Sequence, residues 1–345
     1  MAAKYDKVLV TGASGSLGKQ LIFEMVRNDQ RPIALVRRDS DTSFIDKFGL
    51  EKRVADLRQD AELGGAVDGI DAIIHTAAYV DFRGDKLTQF TGINTFGAVN
   101  LFRAAQQAGV KRFVHVSTVA AIGAWPRRNN GDDSQRSRPV RITEDFDFNL
   151  DRLKIPYILT KRAAEVEMGK LVDENETELV TVNPSIIVAP SRSGDDRGKA
   201  LNRFGRFIMP RVPNRVNLVD IRDVARGVLA ALEKGRPRER YILAGDNMTG
   251  RDLVLDISAL LGRVPHLMRI PRGFLMALAR FSAIWSKVMG KSKVRFYPDI
   301  VRLLDYDWAY SSMKARRELG YSNRSIHATL HDLLNNSFTG TYMKP

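Results

Sequence analysis

Lys7-Val8-Leu9-Val10-Thr11-Gly12-Ala13-Ser14-Gly15-Ser16-Leu17-Gly18 is the stretch that decides the fold. A short apolar run, Lys7 to Thr11, reads as a buried strand. It enters a glycine-rich turn, and a helical pattern follows from Leu17 to Val26. A strand passing through glycines into a helix N-terminus makes a cradle for phosphate. Glycines let the backbone come close, and free N–H groups and the helix dipole face the anion. The spacing is G-x-x-G-x-x-G, which differs from the usual G-x-G-x-x-G of dinucleotide sites. A tight strand-to-helix turn without a ligand is the alternative. The flanking strand and helix favour a dinucleotide, with Gly12, Ser14, Gly15, Ser16, Leu17 and Gly18 around its pyrophosphate.

Outward from this turn, strands and helices alternate. The second strand, Ile33 to Val36, ends in Arg37-Arg38. Where NAD binds, an acidic side chain at this place accepts from the ribose 2′-hydroxyl. A guanidinium cannot accept that bond but pairs well with a 2′-phosphate. NADP(H) is therefore the expected cofactor, with NAD(H) left open; two solvated loop arginines are the rival reading. Val54-Ala55-Asp56-Leu57 reads as a third strand with Asp56 at its exit, placed to meet the adenine amino group beside Leu57. Asp71 to His75 is the fourth, closed by Thr76-Ala77-Ala78, small enough for a cofactor to lie close. His75 reads as structural. A long helix from Thr88 to Ala108 carries Asn94, a packing feature or a water or backbone contact in a proton relay. Arg112 to Ser117 is the fifth strand, and its end puts Ser117-Thr118 where doubly wound sheets hold their ligands. Leu179 to Asn183 is the sixth, Val216 to Val219 a further strand, and Asp223 to Leu232 a helix.

Tyr157-Ile158-Leu159-Thr160-Lys161 places a phenol and an ammonium one helical turn apart. At about 6 Å and an effective dielectric of about 20, the lysine favours the phenolate by roughly 3 kcal/mol. That is about two pKa units, enough to bring a phenol towards proton transfer. Tyr157 and Lys161 are the candidate acid/base pair.

The chain has 345 residues, enough for two domains, and no cysteine, so thiol chemistry and disulfides are excluded. Its net charge is +14, which suits nucleic acid, an anionic membrane surface or anionic ligands. No nucleic-acid module appears, so nucleic acid is not an expected partner, and no metal site is expected. There is no signal segment and no spanning apolar run, so a cytoplasmic protein is expected. Residues 125–150 read as a long polar surface loop, a lid or a plain insertion. Ser191 to Arg215 is basic, and reads as substrate-contacting or as solvated. Residues 272–289 carry Phe274, Leu278, Phe281, Trp285 and Val288 in one stripe, with Arg280 and Lys287 roughly opposite. Such a helix could lie on a membrane surface, or pack on its own domain or on a second copy in a homodimer.

Together the motifs resemble the extended short-chain dehydrogenase/reductase family, the NAD(P)-dependent epimerase/dehydratase group. Thr11 to Gly18 matches T-G-x-x-G-x-x-G, His75-Thr76-Ala77-Ala78 matches H-x-A-A, and Ser117-Thr118 with Gly123 is similar to S-S-x-x-x-x-G. Tyr157 and Lys161 match Y-x-x-x-K. Asn183-Pro184 through Ala189-Pro190 resembles N-P-x-x-x-x-G-P, with alanine for the glycine. Val219 to Ala225 looks like V-x-V-x-D-V-A. Val36-Arg37-Arg38 and the wide spacing from Thr118 to Tyr157 look most like the dihydroflavonol-4-reductase and 3β-hydroxysteroid dehydrogenase-like branch. The resemblance implies an α/β doubly wound Rossmann fold with a parallel sheet and a smaller mixed α/β C-terminal substrate-binding domain. It divides the chain into 1–183 with 216–235, and 184–215 with 236–345. It implies a carbonyl/alcohol oxidoreductase in which Thr118, Tyr157 and Lys161 are catalytic. Tyr157, Lys161 and Pro184 also join the cofactor site. No Asp-Glu pair follows Thr118, which speaks against dehydration. A nucleotide-sugar epimerase and a non-catalytic NADP-binding scaffold are the rivals.

Overall fold

The structure is a computed structural model describing residues 4–80, 87–127, 141–172, 177–189, 209–210, 214–264, 267–268, 270–289 and 298–334. For 209–210 and 283–289 it describes the backbone alone. The short apolar runs become strands: β1 Val8–Thr11, β2 Ile33–Val36, β3 Lys52–Val54, β4 Ala72–His75, β5 Arg112–Val116, β6 Glu178–Pro184 and β7 Arg240–Leu243. They form one seven-stranded sheet in the order β3-β2-β1-β4-β5-β6-β7, with every neighbouring pair parallel. A sheet buried on both faces needs continuous apolar strands, as in Val8–Thr11, Ile33–Val36 and Ala72–His75.

Helices cover both faces. On one, α1 Ser16–Arg27 and α5 Ile221–Lys234 pack Leu21, Met25, Val224 and Val228 on Val10, Ile74, Val114 and Val182. On the other lie α2 Asp60–Val67, α3 Ala98–Gln107 and α4 Pro156–Leu171. They set Leu63, Phe102, Ala164 and Met168 against Leu9, Ile73, Phe113 and Leu179. This is the doubly wound α/β fold, and the strand order reverses between β1 and β4, where ligands of such sheets bind. At the opposite end of the sheet, buried Arg112 donates to Ala231 O, Leu232 O and Gly235 O. It thereby caps the C-terminus of α5 from the middle of the sheet.

The smaller region is a mixed sheet. Arg215–Asp220 pairs in parallel with Ile186–Val188 and antiparallel with Asp246–Thr249. Two strands thus lie elsewhere than in the expected partition. Arg240–Leu243 is the seventh strand of the large sheet, and Arg215–Asp220 is central to the small one. Gly245 makes the crossing. A Cβ there would stand 2.9 Å from Val219 Cα, so the chain leaves the large sheet by backbone contact with the small one. The helix Ile326–Leu334 is tied to this junction by Thr329 Oγ1 to Asp220 at 2.9 Å and Arg222 to Asp332 at 2.7 Å.

Three further expectations are corrected. The third strand stops at Val54, and Asp56 lies beyond it in the following turn. The helix from Thr88 is not regular: Leu87–Phe90 is α, Thr91–Gly97 is a π-helical segment, and α3 follows. Of the polar loop at 125–150, residues 128–140 lie outside the described residues. Its ends are packed: Trp125–Pro126 pairs with Tyr306–Asp307, while Ile142 and Leu150 are buried. Their apolar side chains complete two clusters with Tyr310, Trp308 and Ile158. The helix α6 Gly250–Leu260 leads to α7 Arg272–Met289. Phe274, Leu278 and Phe281 of α7 are exposed, while Ala279 between them is buried. The side chains of Trp285, Lys287 and Val288 lie outside the described residues, as does nearly all of the basic segment 191–215. No described helix is long and apolar enough to cross a membrane.

Candidate active site

The glycine turn joins β1 to α1 at the switch point. Gly12 has φ +67°, and a Cβ there would stand 2.8 Å from Ala77 N and 2.9 Å from Ala77 Cα. A Cβ on Gly18 would stand 2.8 Å from Ala13 Cα. Neither position admits a side chain, so the backbone of the turn stays open to a bulky anion. Gly15 N donates to Gly12 O at 2.8 Å, closing the turn. Ser14, Gly15, Ser16 and Leu17 are partly exposed along it. The Thr76 hydroxyl donates to Thr11 O at 2.7 Å, and Ala77 N to Thr11 Oγ1 at 3.2 Å, which fixes Thr76, Ala77 and Ala78 beside the turn. These residues fit a dinucleotide and could hold its pyrophosphate.

Beyond β2 the guanidinium of Arg37 is exposed, and it pairs with Asp39 at 3.4 Å. Arg38 is also exposed and reaches Glu62 at 3.4 Å. Asp56 is gripped by Arg58, whose Nε lies 3.0 and 3.1 Å from its two oxygens. This pairing, ahead of burial, holds the Asp56 carboxyl below its usual range. Arg58 was not among the expected residues, although its place two residues after Asp56 is a usable signal. Leu57, expected beside the adenine, is buried against α2 and α3.

The remaining candidates meet at the carboxyl ends of β5 and β6. Thr118 follows β5 in extended conformation, with φ −158° and ψ 150°. Its hydroxyl is hydrogen-bonded to Tyr157, so the strand end and the helix meet here. Pro156 opens α4, where a missing N–H costs nothing, and directs Tyr157 and Lys161 back towards β5. Burial raises the Tyr157 phenol above its usual range, and the Thr118 bond opposes that only in part. Burial thus outweighs the lowering expected from Lys161, whose ammonium donates to Val116 O at 2.7 Å and lies 3.3 Å from His115 Nε2. Burial brings Lys161 down to about 8, partly countered by Glu165. Pro184, buried, closes β6.

Of the polar residues behind this centre, His115 was not among those expected. His75 and His115 sit in register on adjacent strands with rings stacked at 5.5 Å. Thr11 Oγ1 bonds His75 Nδ1 at 2.8 Å. Burial and then the Lys161 charge push His75 down to about 3, and His115 also falls well below its usual value. His75 lies buried at the strand end, the position that reads as structural or as a support behind the site. Asn94 makes the backbone contact expected of it: Tyr79 N donates to its Oδ1 at 2.7 Å, and its Nδ2 donates to Tyr79 O at 3.0 Å. It also lies 3.3 Å from Thr160 Oγ1, linking the β4 exit to the helix of Tyr157.

With that geometry in view, residues 8–244 match the profile of the NAD dependent epimerase/dehydratase family. The chain is 28% identical over 330 residues to sterol demethylase protein B of Methylococcus capsulatus, covering 94% of this chain and 96% of that one. It is 25% identical over 269 residues to dihydroflavonol 4-reductase of Zea mays, covering 72% of each. The crystal structure of gox2253 superposes with a TM-score of 0.77 at 29% identity, covering 98% of this chain and 100% of that one.

Proposed function

Because the chain belongs to the NAD dependent epimerase/dehydratase family, the extended short-chain dehydrogenases/reductases, and is an NAD(P)-dependent oxidoreductase of that type, we propose that it interconverts a ketone or aldehyde with the corresponding alcohol. The observation that carries this reading is the hydrogen-bonded pair of Tyr157 and Thr118 beside the Lys161 ammonium. When bound, the nicotinamide supplies or accepts the hydride. Thr118 holds the substrate oxygen through its hydroxyl. Tyr157, kept protonated by burial, is suited to deliver its proton to the alkoxide as it forms. Lys161 supplies the positive charge that makes the resulting phenolate tolerable. In oxidation the same groups run in reverse.

The exposed Arg37 guanidinium supports NADP(H) as the preferred partner, with Asp56 at the adenine end and Pro184 at the nicotinamide end. Exposed Val80 and Ile186, which follow β4 and β6 on the edge that carries Thr118, support a substrate with apolar surface. The two relatives reported above bear names denoting a sterol and a dihydroflavonol, which points the same way. Segments 184–215 and 236–345 are then the regions that choose the substrate. The reductase name of the Zea mays relative favours the carbonyl/alcohol reading over the epimerase one. The exposed face of α7 supports peripheral attachment of a cytoplasmic protein to a membrane.

Tyr157→Phe tests the assignment. NADPH-dependent reduction of ring ketones should fall by about 1,000-fold or more, with NADPH binding by fluorescence kept within a few-fold. Retained turnover would remove Tyr157 from the proton transfer.

A further inference from the structure

We propose that Glu165 is a positioning residue that keeps Lys161 charged and holds Thr118 in place through Asn183. The proposal rests on the carbonyl/alcohol reading only for its turnover measurements. Glu165 lies one turn beyond Lys161 on α4, and its side chain is 4% exposed. Its Oε1 accepts from Asn183 Nδ2 at 2.8 Å, and the same nitrogen donates to Thr118 O at 3.0 Å. One buried amide therefore joins the carboxylate to the backbone of the residue that grips Tyr157. An unpaired buried carboxylate is costly. Its countercharges, Arg240 at 3.4 Å and Arg162 at 3.8 Å, both line a polar cleft of about 350 Å³ open to solvent.

The groups facing Lys161 are few. His115 and Val116 O lie towards it from β5, and His75 stands behind His115 on β4. Both histidines are held neutral by burial. Tyr157 and Glu165 share its helix, and among the described residues Glu165 opposes the loss of the lysine proton. Since burial already brings Lys161 to about 8, the ammonium is held only narrowly at neutral pH.

Glu165→Gln keeps the shape and the acceptor for Asn183 and removes the charge. In protein labelled with ¹³Cε-lysine, the Lys161 resonance, assigned by its loss in Lys161→Arg, should titrate near 8 in the wild type and about one unit lower in Glu165→Gln. The alkaline limb of kcat for ketone reduction should move down with it. Asn183→Ala should lower kcat at least about tenfold, with KM for NADPH and the lysine titration unchanged. A Glu165→Gln lysine that titrates as in the wild type overturns the charge role. An Asn183→Ala kcat within twofold of wild type overturns the link to Thr118. Should Glu165→Gln not fold, Glu165→Asp draws the charge back by one methylene, and an unshifted lysine there is equally fatal. The titration needs no substrate. A wild type that reduces no carbonyl therefore defeats the functional reading while leaving Glu165 open to judgement.

Discussion

A 2′-phosphate brings close to two negative charges where a ribose hydroxyl brings none, so one side chain at the end of β2 decides much of the cofactor choice. Arg37 is exposed there, and its ion pair with Asp39 is a surface one, worth little and easily exchanged. Arg37→Asp should weaken NADPH binding by about 2 kcal/mol, roughly thirtyfold, and NADH binding by no more than a few-fold. Equal losses for both, measured by fluorescence titration, would take Arg37 out of the cofactor site. The glycines and the Tyr157/Lys161 pair were readable because their chemistry lies in local spacing. Asn183 and Glu165 were not. Asn183 lies 65 residues from Thr118 and 18 from Glu165, and no local pattern encodes contacts of that separation.

Among the described residues, α7 turns large apolar side chains outward over 274–281. Phe274 and Phe281 are 62% and 63% exposed, and Leu278 lies between them at i+4 and i−3. No acidic residue occurs between Asp256 and Asp299, while Arg263, Arg269, Arg272, Arg280, Lys287, Lys291, Lys293 and Arg295 fall in that interval. An exposed aromatic face in an all-basic setting matches an anionic lipid surface. The protein should cosediment with vesicles containing anionic lipid in low salt and much less with neutral ones. Phe274→Ser with Phe281→Ser should abolish this at least tenfold while ketone reduction in solution is kept. Cosedimentation unaffected by the double change would exclude this face. Strand and helix identities were legible because continuous apolar runs and amphipathic stretches repeat in turn. The π-helical Thr91–Gly97 was not, because it exists to aim Asn94 at Tyr79, and that partner is known only once the chain has folded.

At the scale of the whole molecule, the buried histidine pair links stability to pH. His75 has an ordinary value of 6.5 in the open chain and about 3 when folded. Below 6.5 the unfolded chain takes up a proton that the folded one refuses, so the contribution is complete above 6.5 and is lost as pH falls towards 3. His115 acts in the same direction. The melting temperature should fall steadily across that window, and His75→Gln should flatten the fall. A melting temperature constant from pH 7 to 4 would contradict the burial of the pair. The parallel order of the large sheet was legible from the alternation of strands and helices. Which late strand joins it was not, since Arg240–Leu243 and Arg215–Asp220 look alike as short apolar runs and only the backbone contact at Gly245 separates them. The position of Arg112 also has a meaning for biosynthesis. From β4 onward each new strand is laid on the same side of the sheet, β5, β6 and then β7. A nascent chain emerging from the ribosome thus always presents one bare margin. The carbonyls that Arg112 needs, at 231, 232 and 235, arrive just before the last strand. Glu178 of β6 already pairs with its guanidinium at 2.9 Å. In chain order those three carbonyls come immediately before β7, so Arg112 ties α5 to the sheet through residues already synthesised when the closing strand begins.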